Sequence, residues 1–120
     1  MGNMRMSFKD FDFSVILEQI LRLKHLISQP DTDVLWSSYN SADEVIKKLE
    51  SIEAGIKSRD ISALDKIHFM LLPTGDLQEI SISSGWGHEF LKIAETVDNA
   101  LLEIGAAMKK YHGKQKKGEK

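Results

Sequence analysis

The 120-residue sequence contains no cysteine. That removes disulfides and thiolate metal sites together, leaves the fold without a covalent staple, and agrees with a reducing compartment. Long apolar runs are missing too. The first residues, Met-Gly-Asn-Met-Arg-Met-Ser, lack the apolar core of a secretion signal, and no stretch reaches the roughly 20 residues that cross a bilayer. Gly2 meets only part of the myristoylation pattern, because Met6 stands where serine or threonine is wanted and Ser7 lies one beyond. A cytoplasmic protein with no membrane attachment is expected.

Catalytic patterns are equally scarce. His25, His68, His88 and His112 lie far apart, and none forms the i, i+4 pair with an intervening acid that helical zinc sites use. No glutamate is followed at the third position by histidine, as a di-iron carboxylate bundle requires. No serine sits in a Gly-x-Ser-x-Gly elbow, and no Gly-rich loop leads to a lysine that would cradle phosphate. Neither a metal nor a cofactor is expected.

What is present reads as one folded domain. Apolar residues make up 42% and charged residues 28% of the chain, proportions of a globular protein and not of a disordered one. The net charge of −2 conceals a division. Residues 1–108 carry 17 acidic and 10 basic side chains, whereas 109–120 carry six lysines and Glu119. An acidic body therefore precedes a basic tail.

Helical periodicity dominates the body. Ile16, Ile20, Leu23 and Ile27 recur at spacings of four, three and four, predicting a helix over Asp10 to Ser28 that Pro30 closes, with Phe8, Phe11 and Phe13 as a lid on the core. Residues 29–40 mix turn formers with Val34, Leu35 and Trp36 and read as a loop with a short helical turn. Ser41-Ala42-Asp43-Glu44 has the form of a capping box, and Val45, Leu49, Ile52 and Ile56 extend a second helix to about residue 58, with Glu44 and Lys48 as a surface pair. A third helix over Ile61 to Leu72, capped by Asp60, presents Leu64, Ile67, Met70 and Leu71 before Pro73 stops it.

Pro73-Thr74-Gly75-Asp76 reads as a turn, its glycine free to take either sign of φ. Leu77 to Ser84 is ambiguous. It suits a helix capped by Asp76 and ended by Gly85, yet Ile80-Ser81-Ile82-Ser83 alternates like a strand; helix is preferred because a lone strand lacks a partner. Phe90, Ala94, Val97, Leu101, Ile104, Met108 and Tyr111 then follow an unbroken four-three repeat, which predicts a long last helix. Gly105 within it suggests close approach of another backbone. The expected architecture is all-α, a bundle of four to five helices over residues 1–112 with a disordered Lys-rich tail over 113–120.

Binding determinants are expected where turn residues, acids and aromatics gather. Asp76, Gln78, Glu79, Trp86, His88 and Glu89 form one such cluster, and Trp36 with Tyr39 forms another. Trp86 is either an interface anchor between Asp76, Glu79 and Glu89 or a lid on the core, and packing is the commoner role. The last helix also offers Glu89, Glu95, Asp98 and Glu103 against Lys92 alone, a face that repels nucleic acid and suits basic proteins. The terminal lysines have no arginines and no interleaved aromatic beyond Tyr111, so they read as a solubilising tail and nucleic acid is not the expected partner.

The run Pro73-Thr74-Gly75-Asp76-Leu77-Gln78-Glu79-Ile80, followed by Gly85-Trp86-Gly87, resembles a segment of small uncharacterised bacterial proteins, some of which resemble immunity proteins of toxin systems. The resemblance covers mainly residues 72–89. It implies a cytoplasmic inhibitor that masks a toxin's active site, and an acidic body would suit a basic toxin domain. It transfers no contact residue. Two other classes stay open: a self-assembling or adaptor module, simplest as a homodimer through the last helix and Gly105, and a small enzyme in which Asp76, Glu79, His88 and Glu89 converge.

Overall fold

The computed structural model of the protein describes residues 12–117, with side chains described through residue 105. Among these residues the structure is all-helical: α1 (Ser14–Ile27), α2 (Ala42–Lys57), α3 (Ser62–Met70), α4 (Asp76–Ser84) and α5 (Gly87–Lys117), without a strand. Residues 10 and 11, expected to begin the first helix, and the lid residues Phe8 and Phe11 lie outside the described segment. Phe13 caps α1 from the core, 2% exposed, with the Arg59 guanidinium 4.8 Å from its ring centre.

The apolar stripes do what their spacing requires. Ile16, Ile20, Leu23 and Ile27 of α1 and Val45, Leu49, Ile52 and Ile56 of α2 are all buried. α1 packs against both α2 and α5, α3 lies on α2 and touches α5, and α4 covers α5. Burying an isoleucine contributes about 1.5–3 kcal/mol. The Lys24 Nζ–Glu53 Oε1 ion pair that joins α1 to α2 at 2.8 Å contributes at most about 1 kcal/mol, being partly exposed. Apolar faces, not charges, therefore set the packing.

Helix ends follow the expected chemistry with shifts of partner. Ser41 Oγ accepts from the Glu44 N–H at 3.2 Å, but the Glu44 carboxylate accepts from the Asn40 N–H at 2.7 Å and not from Ser41. Glu44 is thereby drawn toward the helix start and away from Lys48. Asp60 Oδ1 accepts from the Ser62 N–H at 3.0 Å and from the Ser62 hydroxyl at 2.8 Å, which holds the start of α3. Those two bonds, the hydroxyl first, keep the Asp60 carboxyl below its ordinary pKa.

The α3–α4 turn departs from its predicted geometry. Gly75 has φ −85° and needs no glycine freedom, whereas Thr74 stands in the left-handed region at φ 65°. A β-branched residue there is strained. Its N–H donates to Gln78 Oε1 and its hydroxyl to the Pro73 carbonyl.

Residues 77–84 are helical, which settles the helix-or-strand ambiguity: α4 begins at Asp76 behind Gly75 and ends at Gly85, left-handed at φ 89°. Asp76 is the first helical residue and not the cap. Gly85 allows the chain to reverse so that the Trp86 N–H reaches the Ser81 carbonyl at 2.8 Å.

α5 buries Phe90, Ile93, Val97 and Ile104, so Ile93, outside the predicted four-three series, replaces the half-buried Ala94 in the core stripe. The helix continues through residues 113–117, the beginning of the segment expected to be a disordered tail; 118–120 lie outside the described residues. At roughly 1.5 Å per residue its 31 residues span about 46 Å, most of the 54 Å long dimension of the molecule.

The expected close approach at Gly105 is not there: nothing among the described residues lies within 4 Å of a Cβ built at that position. The close approach occurs at Gly55 of α2, where an added Cβ would stand 2.9 Å from Ala63 Cβ of α3. Gly55, not Gly105, lets two helix backbones meet.

Candidate functional site

The loop between α1 and α2 lies along α4 and is fastened at both ends of that helix. At its near end the Asp33 N–H donates to Ser84 Oγ at 2.8 Å, across 51 residues of chain. At its far end both the N–H and the hydroxyl of Ser38 donate to the Asp76 carboxylate, the N–H at 3.1 Å. Inside the loop the Leu35 N–H donates to Asp33 Oδ1 at 2.9 Å, the Ser37 hydroxyl to the Val34 carbonyl at 2.7 Å, and the Tyr39 N–H to Ser37 Oγ at 3.1 Å. This bonding turns Val34 and Tyr39 partly inward and leaves Leu35 and Trp36 outside, 74% and 70% exposed.

Tyr39 forms one wall of an open groove of about 310 Å³ whose other sides are Phe69, Met70, Leu72, Pro73, Thr74, Gly75, Leu77, Asp76 and Lys48. Phe69 stands on its rim 72% exposed, because it falls on the side of α3 opposite Ile67, which is fully buried. Burial first, then the carboxylates of Asp76 and Glu44, pushes the Tyr39 phenol above its ordinary value near 10. The rim is therefore aromatic, with one carboxylate, Asp76, and one cation, Lys48, among its lining residues.

Past Pro73, which both grooves share, a second depression of about 330 Å³ runs between the α3–α4 turn and α5. Leu71, Pro73, Phe90, Leu91 and Ala94 make it apolar; Gln78, Glu95, Asp98 and Asn99 make it polar. His68 Nδ1 of α3 lies 3.5 Å from Asp98 Oδ1, an exposed contact between α3 and α5. A third depression, of about 300 Å³, is formed by α1 alone through Glu18, Leu21, Arg22, His25 and Leu26.

The predicted site residues separate into three groups. Asp76 and Tyr39 line the first groove, Trp36 stands exposed in the same loop as Tyr39 without lining it, and Gln78 lines the neighbouring groove while bonded to Thr74. Glu79, His88 and Glu89 are exposed and line none of these three grooves. None of these three grooves brings Asp76, Glu79, His88 and Glu89 together. Trp86 is 7% exposed and belongs to the core, so it is not the exposed anchor considered from sequence. Its indole Nε1 is buried without a hydrogen-bond partner among the described residues.

Phe69, Leu72 and Leu91 were not among the sequence candidates. The signal for Phe69 was available, since a phenylalanine two residues from Ile67 must leave the Leu64–Ile67–Met70 face of a helix. Among the described residues no three of histidine, aspartate and glutamate stand together as metal ligands would, and no helix is long and apolar enough to cross a membrane. The sequence matches no family model, no curated protein and no solved structure.

Proposed function

We propose that this chain is a protein-binding domain that works as an immunity-type inhibitor, docking a basic toxin domain on the face formed by residues 33–40 and the α3–α4 turn. The observation that carries the reading is Phe69, an aromatic ring 72% exposed beside an open apolar groove with Tyr39 and Asp76. A solvated phenylalanine of that exposure gains nothing for the isolated fold, whereas aromatic side chains supply much of the energy at interfaces. Trp36, equally exposed, extends the apolar surface on a loop that the Asp76 and Ser84 bonds hold in place. The excess of acidic side chains over residues 1–108 favours a basic partner and speeds its approach.

The reading is tested by affinity capture from the host lysate at moderate salt, with the wild-type chain and a Trp36→Ser/Phe69→Ser variant as bait. One stoichiometric basic protein, retained by the wild type and lost by the variant, is expected. Equal retention by both removes this face from the interface.

A second reading, a homodimer through α5, draws support from the length of that helix and from Leu102, 70% exposed on it. Sedimentation as a concentration-independent monomer would dispose of it.

A further inference from the structure

At Pro73, which lines both grooves, the proposed docking face borders the second depression. The second depression has an apolar side of Leu71, Leu91 and Ala94 and a polar side of Glu95, Asp98, Asn99 and Gln78, and no lysine or arginine lines it. Glu95 and Asp98 are one helical turn apart on α5, and Leu91 lies one turn before Glu95, so a single face of α5 runs from apolar to anionic. Leu91 is 56% exposed within it. His68 approaches Asp98 from α3, but even a charged imidazole would leave the two carboxylates with a net negative charge. Glu95 has no ion pair among the described residues.

We infer that this depression is a subsite for a single basic side chain of the partner protein, an arginine in preference to a lysine. The geometry matches the two parts of that side chain. Its aliphatic stem would lie along Leu91 and Ala94 while its head reaches Glu95, Asp98 and the amide oxygen of Asn99. Arginine is preferred because its planar fork of donors serves several oxygens at once and is more easily desolvated than an ammonium. The inference rests on the protein-binding reading for its biological partner, but the subsite itself can be tested without one.

The test titrates N-acetyl-arginine amide into the full chain and follows backbone amide shifts by nuclear magnetic resonance, with N-acetyl-norleucine amide as the uncharged comparison. Saturable shifts confined to residues 71–73, 78 and 91–99, larger for the arginine derivative than for norleucine, are expected. Glu95→Gln/Asp98→Asn, an exposed pair whose loss leaves the core intact, should weaken the arginine derivative by roughly threefold to tenfold. Leu21→Ser, in the separate depression on α1, should leave it unchanged. Shifts scattered over the acidic surface, equal response to norleucine, or full affinity in the double variant would each overturn the subsite. Failure of the protein-binding reading would show instead as partner capture indifferent to Trp36→Ser/Phe69→Ser, so the two failures are separable.

Discussion

Alanine placed at two helical glycines should move stability in opposite directions. In Gly55→Ala the new methyl would lie 2.9 Å from Ala63 Cβ, against a carbon–carbon optimum of about 3.5–4.0 Å. Both atoms are fixed to helix backbones, so neither can rotate away and α2 and α3 must separate. Overpacking of this kind costs about 1–3 kcal/mol, from which about 0.5–1 kcal/mol of recovered helix propensity is subtracted. The net is a loss of up to about 2.5 kcal/mol, with a midpoint of about 1 kcal/mol, or several degrees in Tm. In Gly105→Ala the methyl meets no described atom within 4 Å, so only the propensity gain of about 0.5–1 kcal/mol remains. Urea unfolding followed by circular dichroism at one protein concentration reads both. A Gly55→Ala variant as stable as the parent would refute the α2–α3 contact. A Gly105→Ala variant that is destabilised, and more so on dilution, would refute the exposed placement of Gly105 and favour pairing of α5 helices.

Other expectations follow from the site. Asp76→Ala removes both Ser38 bonds and a favourable charge at the start of α4, so it should cost about 1 kcal/mol, measured by denaturant unfolding, and raise amide exchange over residues 35–39 while leaving α1 unchanged. Thr74→Gly relieves a left-handed β-branched residue and should stabilise by up to about 1 kcal/mol in the same assay. With Tyr111→Phe as background, Tyr39 is the remaining tyrosine, and its ultraviolet titration midpoint should fall when Asp76→Asn removes one of the carboxylates that raise it. Because that pKa is raised in the fold, the associated stability is complete below about pH 10 and is lost as pH climbs through the folded value. Asp60 has the opposite sign. Its lowered pKa gives stability that is present above 3.8 and lost as pH falls through the folded value, so the penalty of Asp60→Asn should vanish in acid.

The amphipathic helices were legible in sequence because their burial is periodic: the buried apolar sets of α1 and α2 coincide with the four-three-four spacings, with Gln19 of α1 the one polar addition. α4 was harder, since a helix of nine residues with Ile80 and Ile82 flanking Ser81 carries as much strand alternation as helical period. Tertiary contact decided it, burying Ile80 and Ser81 while leaving Ile82 outside. The misplacement of the close approach at Gly105 has a similar origin. A glycine in a helix announces a tolerated penalty, but only the fold says which one faces a neighbour, and Gly55 does. Trp86 and Trp36 show the same limit from the other side. Both sit among turn residues, yet one is buried by the chain reversal at Gly85 and the other is turned outward by bonds inside its loop. The Asp76–Ser38 contact joins residues 38 positions apart, which no local pattern reports.

On the proposed reading, residues 33–40 and the α3–α4 turn form the face that docks a protein. Amide hydrogen exchange of the captured complex, compared with the free chain, tests it most directly. Protection concentrated at residues 34–40 and 69–78 is predicted, with a smaller effect along residues 91–99. Protection confined to α1 around Leu21 and His25, or to the far half of α5, would contradict it.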